Sequence, residues 1–160
     1  MNSIELYRNQ FERLSLDDKI TFVSNLSPSA VEELKYFTTF TLREKQIIPD
    51  TWKGRYYIVL SGRGWGKTKM GAFWMKTKVY KNQKGLAIVA PTYKDLLDYI
   101  IPALQDEFPP HQKPRFVEGK KNRIICHNGI EIICHTSEQE IRGGNYSAVW
   151  LDELARFCSM

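Results

Sequence analysis

Eight consecutive residues, Ser61-Gly-Arg-Gly-Trp-Gly-Lys-Thr68, combine three glycines with an amine and a hydroxyl. Gly62, Gly64 and Gly66 let the backbone turn sharply and bring its amides close to an anion. Lys67 would place a point charge on the β- and γ-phosphates of a nucleoside triphosphate, with ATP the nucleotide expected, and Thr68 would offer its hydroxyl to Mg²⁺. The stretch follows the apolar run Tyr56-Tyr-Ile-Val-Leu60 and precedes a helical pattern, whose N-terminal end adds a positive dipole at the same place. Ser61 stands where the usual pattern has its first glycine. The competing explanation is a glycine-rich turn with an incidental lysine; strand, loop and helix in this order argue against it.

A second group suits the first. Ala148-Val-Trp-Leu-Asp-Glu153 reads as a buried strand delivering two carboxylates to its C-terminal end, where ligands bind in open α/β sheets. Asp152 would coordinate Mg²⁺, directly or through water. Glu153 would orient, or take a proton from, the water attacking the γ-phosphate, which favours hydrolysis over transfer. Alone, such a run is more often a strand entering a solvated turn.

Elements that could position these groups are legible from periodicity. The first 40 residues read as a helical leader. Ser15-Leu-Asp-Asp18 fits a capping box for a short helix through Asn25, and Ser27-Pro28 opens a second helix through about Tyr36. Residues 41 to 160 read as the core domain, and from Tyr56 onward short apolar runs alternate with amphipathic ones: a buried strand at Tyr56–Leu60, a helix over Met70–Tyr80, a buried strand at Leu86–Ala90, a helix over Lys94–Phe108 and a buried strand at Ala148–Leu151. That order predicts an α/β domain of P-loop NTPase type with a largely parallel sheet. Arg123–His127 and Ile130–His135, joined by Asn128-Gly129, predict a β-hairpin insertion.

Composition sets the outer bounds. At 160 residues, 42% apolar and 26% charged, the chain matches a soluble globular domain with no bilayer-length apolar run and no secretory leader, which points to a cytoplasm. Three cysteines, Cys126, Cys134 and Cys158, argue against a disulfide framework. A net charge of +5 permits a polyanionic partner without requiring one.

Taken together these residues resemble the ATPase domain of the large terminase subunit, the DNA-packaging motor of tailed bacteriophages. Gly62–Thr68 is similar to that family's Walker A loop, which commonly carries an arginine among its glycines, and Asp152-Glu153 to its Walker B pair. Ala90-Pro-Thr-Tyr93 resembles a segment shared with superfamily 2 helicases, and Ile141-Arg-Gly-Gly144 a segment before the Asp-Glu strand. Leu42-Arg-Glu-Lys-Gln46 looks like the element that contacts adenine. The likeness covers roughly residues 40 to 157.

The resemblance implies Gln46 at the adenine and Ser61, Gly62, Arg63, Gly64, Trp65, Gly66, Lys67 and Thr68 around the phosphates. It implies Thr68 and Asp152 at the metal, and Glu153, Lys67 and Arg63 in catalysis. Arg63 would stabilise γ-phosphate charge or couple hydrolysis to movement; an arginine packing outward from a turn is its bland alternative. Arg142 reads equally as a phosphate or DNA contact and as a solvated arginine. The implied partners are double-stranded DNA, a portal or procapsid, a small terminase subunit and further copies in a ring, in the host cell cytoplasm with no membrane. A coupling motif and a nuclease domain would be expected after Glu153, yet the sequence ends at Met160, as an excised piece or a split-gene product would. DNA cleavage by this chain is therefore not expected, and its ATP turnover alone is left open. Two other readings share these motifs: a superfamily 2 helicase-like translocase, and an inert fragment acting as an assembly module.

Three further groups bear weighing. Cys126-His127 and Cys134-His135 suggest zinc, but a two-residue Asn128-Gly129 turn would set Cys126 opposite Glu131 and Cys134 opposite Arg123, on opposite faces. Lys69, Lys76, Lys78, Lys81 and Lys84 read as a solvated face. Lys113, Arg115, Lys120, Lys121 and Arg123 form a second basic cluster, and either cluster could follow a DNA backbone in a salt-dependent way.

Overall fold

The computed structural model describes residues 14–28, 36, 42–48, 52–138, 144–154 and 156. The chain divides into two compact units, Met1–Arg43 and Glu44–Met160. In the first, α1 spans Leu16–Ser24. Ser15 caps it: its Oγ accepts the Asp18 amide at 3.2 Å and donates to the Asp18 carboxylate at 2.6 Å. Such a cap stabilises a helix by about 1 kcal/mol. The helix predicted from Ser27-Pro28 to Tyr36 falls largely outside the described residues.

The second unit is α/β. Helix α2 (Lys67–Tyr80) leads to β1 (Leu86–Ala90). After β1 comes one bent helix made of α3 (Tyr93–Asp95), a π-turn (Leu96–Ile100) and α4 (Ile101–Asp106). The π-turn has a covalent cause. Pro102 has no N–H and its ring would strike the carbonyl one turn back; widening the turn, with the Ile101 amide bonded to the Leu96 carbonyl, accommodates it. Strands β2 (Arg115–Val117), β3 (Arg123–Ile125), β4 (Glu131–Thr136) and β5 (Ala148–Leu151) complete the unit.

The five strands form one mixed sheet in the order β2-β3-β4-β1-β5. Only β4-β1-β5 is parallel; β2, β3 and β4 pair antiparallel. The expectation of a largely parallel sheet with an inserted hairpin is thus corrected: the hairpin's second strand is itself the parallel neighbour of β1. Every residue of β1 is buried, as its central place requires. Strand β5, predicted to be buried, lies at the edge and alternates, with Ala148 and Trp150 in the core and Val149 and Leu151 exposed.

One face of the sheet carries the core. Ala72, Met75 and Val79 make a helical stripe on α2 that packs with Leu96, Ile100 and Leu104 against Leu86, Ile88, Ile132 and Trp150. Burying each of the larger aliphatic side chains stabilises the fold by about 1.5–3 kcal/mol. Lys76 lies on this stripe and is buried, so it is not part of the solvated lysine face predicted for α2. Its ammonium sits 5.7 Å from the Tyr80 ring centre and 5.9 Å from that of Phe108. Burial lowers its pKa, while the charge of buried Glu107 opposes the shift.

The hairpin differs from its prediction by one residue. Arg123 pairs with Ile133 and Ile125 with Glu131, and the loop is the three residues His127-Asn128-Gly129, with Gly129 at φ 77°. The Gly129 amide bonds back to the Cys126 carbonyl at 2.9 Å, a closure that needs a left-handed residue in third place. Cys126 and Cys134 consequently share the buried face, correcting the assignment to opposite faces.

The largest departure lies ahead of the glycine-rich loop. Residues 56–60 form no strand, and Tyr56, Ile58 and Leu60 are 70, 72 and 92% exposed. Both sides of β1 are already taken by β4 and β5, so no position beside the central strand is open to this run. A P-loop NTPase arrangement, in which the loop leaves a strand of the sheet, is therefore not present among the described residues. No helix among them is long and apolar enough to cross a membrane.

Candidate functional site

The glycine-rich loop enters α2 directly. Gly66 is its N-cap at φ 93°, and Gly64 has φ 76°, backbone that residues with a Cβ rarely adopt. The first-turn amides of this 14-residue helix have no acceptor one turn back, leaving donors for an anion. The Lys67 ammonium curls back over the loop and donates to the carbonyls of Ser61 and Gly62, each at 3.0 Å. Ser61 Oγ is buried with no hydrogen-bond partner. An orphaned hydroxyl costs about 1–3 kcal/mol, so it marks a place where a polar ligand atom would fit. Gly62, Arg63 and Gly64 are exposed; Trp65 and Thr68 are half-buried.

Gln46 meets the loop from behind. It is buried in a short 3₁₀ turn, Glu44–Gln46, and its Nε2 donates to the Trp65 carbonyl at 2.7 Å. A Cβ on Gly66 would stand 2.5 Å from that nitrogen. The residue assigned to adenine therefore also braces the loop.

Opposite the loop lies the C-terminal end of β5. The Asp152 amide extends the ladder to the Val89 carbonyl at 3.1 Å, and its side chain is half-buried. Burial raises the Asp152 carboxyl above its ordinary range and Glu153 adds to the rise; a hydrogen bond from the Trp150 side chain and the Lys67 charge oppose it, and Asp95 raises it slightly further. The Lys67 charge, 85 positions away in the chain, thus bears on Asp152. Trp150 is the structural link, because its indole packs over Gly71 on the second turn of α2.

Among the described residues no group of three His, Cys, Asp or Glu side chains could hold an ion by itself. Thr68 and Asp152 offer one hydroxyl and one carboxylate, a sparse oxygen set suited to Mg²⁺, which keeps waters and shares phosphate oxygens.

Three residues at this end of the sheet escaped the sequence reading. Asp95 is held by Thr92, whose hydroxyl donates to its carboxylate at 2.7 Å and accepts its amide at 3.1 Å. That hydrogen bond is the main reason its carboxyl is lowered below the usual range, with Arg156 assisting. Arg156 Nη1 lies 3.1 Å from Asp95 and 3.1 Å from Glu153. Thr92-x-x-Asp95 is a capping signature at the end of a buried strand, a signal the sequence carried. Trp150 and Arg156 carried none.

Other groups are not brought to the site. His135 hydrogen-bonds Tyr146 at 2.7 Å, and His127 packs near the Tyr80 and Phe108 rings. Cys134 is aligned with Asn122, which puts it about 13 Å along the ladder from Cys126, too far to share a metal. Burial pushes both thiols up to about 12. Tyr93 bonds Glu118 at 2.8 Å. Of the basic cluster, Lys113 and Arg123 pair with Asp106 and Glu131, whereas Arg115, Lys120 and Lys121 stand exposed around β2 and the turn after it. Arg142 and Cys158 lie outside the described residues.

The family model described as the terminase large subunit, T4likevirus-type, N-terminal domain, matches residues 58–158. The chain belongs to that family, and with it to the terminase class associated with phage DNA packaging. No curated protein and no solved structure matches it.

Proposed function

We propose, with membership of the terminase family as the premise, that this chain carries the Mg²⁺-ATP site of a DNA-packaging motor and that Ser61–Thr68 and Asp152-Glu153 are its two halves. One observation carries the reading: at the head of α2 the Lys67 ammonium lies over the glycine-rich loop, 3.0 Å from the Ser61 and Gly62 carbonyls and beside the unpartnered Ser61 hydroxyl, a cradle of donors suited to an anion. When bound, the nucleotide supplies the phosphoanhydride and Mg²⁺ the positive charge that polarises it. The chain's own work is to hold and to aim. Lys67 exchanges the Ser61 and Gly62 carbonyls for phosphate oxygens, which the orphaned Ser61 hydroxyl also meets. Thr68 and Asp152 hold the metal, and Glu153 orients the attacking water. Arg63, exposed on the loop, is placed to reach charge beyond it, and Gln46 braces the loop beside the base.

Double-stranded DNA is the proposed polyanion, with exposed Arg115, Lys120 and Lys121 as a phosphate-tracking edge. Portal or procapsid, small subunit and further copies of the chain are the proposed assembly partners, in the host cell cytoplasm. The exposed run Tyr56–Leu60 favours one second reading, an assembly module that binds ATP without turning it over.

Calorimetric titration of the chain with Mg²⁺-ATP tests the first claim. Lys67→Ala should weaken binding about tenfold or more, the worth of hydrogen bonds made by a charged group. Equal affinity in parent and variant would sink the site. Binding without measurable turnover would favour the module.

A further inference from the structure

We infer that Arg156 is a positioning residue for Glu153, anchored in turn by Asp95; this rests on the reading of Glu153 as the group that orients water. Glu153 needs holding. It follows β5 with φ 49°, the left-handed region that a side chain disfavours, and it is exposed. One guanidinium nitrogen, Nη1 of Arg156, stands 3.1 Å from Glu153 Oε2 and 3.1 Å from Asp95 Oδ2.

The anchor is independent of β5. Asp95 belongs to the helix after β1, and the Thr92 hydroxyl fixes its carboxylate. Strands β1 and β5 are parallel neighbours, with Val89 opposite Leu151, so Thr92-Asp95 and Asp152-Glu153 emerge at the same end of the sheet. A lone ion pair three residues apart on a surface does little. Here the arginine spans two strands and is gripped at the far end by a carboxylate only 20% exposed, which restrains Glu153 from a second element.

The arrangement leaves Glu153 able to work. A carboxylate has about four acceptor positions, and Arg156 uses one on Oε2, so Oε1 can still accept from a water. Asp95, Asp152 and Glu153 otherwise form three carboxylates at one sheet end, and Arg156 offsets that repulsion. The chain Thr92–Asp95–Arg156–Glu153 thus ties the carboxylate's direction to the end of the central strand.

The test measures Mg²⁺-ATP turnover, KM and Tm for the parent, Arg156→Met, Arg156→Lys, Asp95→Asn and the Met/Asn double variant, with Lys67→Ala and Glu153→Gln as controls. Arg156→Met should lower kcat on the order of tenfold to a hundredfold with KM within about twofold, the signature of a misaimed group. Arg156→Lys should restore part of the rate. Asp95→Asn should lower kcat less and add nothing in the Met background, since both act through one bridge. Unchanged kcat in Arg156→Met, a loss matched by KM or Tm, or additive single effects would overturn the inference. If Glu153→Gln is also silent, the premise about Glu153 has failed; if only the Arg156 series is silent, this inference alone has. A parent that binds ATP without turnover overturns the inference and leaves the binding site standing.

Discussion

Gln46 and Trp65 are joined by a partly buried hydrogen bond, Nε2 to backbone carbonyl at 2.7 Å, across 19 residues. It holds the middle of the glycine-rich loop against a separate turn of the chain, where Gly66 leaves room for the amide. Removing the side chain takes that donor from the half-buried Trp65 carbonyl and the brace from the loop. Gln46→Ala should cost about 1–3 kcal/mol and lower Tm by several degrees. Thermal unfolding without nucleotide checks this, and an unchanged Tm would remove the bracing role.

Glu153→Gln separates binding from chemistry. The amide keeps size and polarity but cannot accept a proton, so Mg²⁺-ATP affinity should stay within about twofold while turnover falls about 10²–10⁴-fold. Comparing calorimetric affinity with a phosphate-release rate decides it. Equal loss of both would mean that Glu153 serves the fold or the nucleotide's ground state.

Gly71 keeps Trp150 in place. A Cβ there would lie 2.2 Å from the indole Cε2 and 2.3 Å from Nε1, with rigid backbone on one side and a buried ring on the other. Alanine gains about 1 kcal/mol of helix propensity but should lose about 1–3 kcal/mol to overpacking. It should also draw the indole off Asp152. Urea unfolding should therefore show a lower midpoint for Gly71→Ala, and a higher one would refute the contact.

Asp152 trades stability for its place. Burial raises its carboxyl in the folded chain above the ordinary 3.8, so ionising it opposes folding. That penalty is fully present above the folded value and fades as pH falls through it. Asp152→Asn should raise Tm near neutral pH, and the gain should shrink towards zero below about pH 4, where both side chains are neutral. The same variant should bind ATP with little response to Mg²⁺. A gain that persists unchanged in acid would point to packing instead of charge.

Elements with local chemical causes were legible before folding was considered. Ser15 and Asp18 cap α1 as predicted, the pattern after Lys67 makes a helix, and Leu86–Ala90 is the buried strand its uniform apolarity demands. The hairpin's existence was legible from Asn128-Gly129, but its register was not, because two- and three-residue loops use the same dipeptide and differ only in where the ladder closes. Lys76 read as solvent-facing because sequence counts charge, whereas its neighbours on the stripe are Met75 and Val79 and the charge of Glu107 reaches it from the turn that ends α4.

What the sequence determined by itself is the chemistry available: a run of amides, Lys67 and Thr68 at one point, and two carboxylates at another. Backbone permissiveness and donor type are properties of residues, so they survive any fold. Only the tertiary structure decided which groups meet. It brought the Lys67 charge to bear on Asp152, packed Trp150 against Gly71, and ran Arg156 from Glu153 to Asp95. It also left Tyr56–Leu60 exposed, although its composition is that of a core strand. Burial and pairing depend on which sheet positions are free, a property of the whole assembly that no local pattern contains.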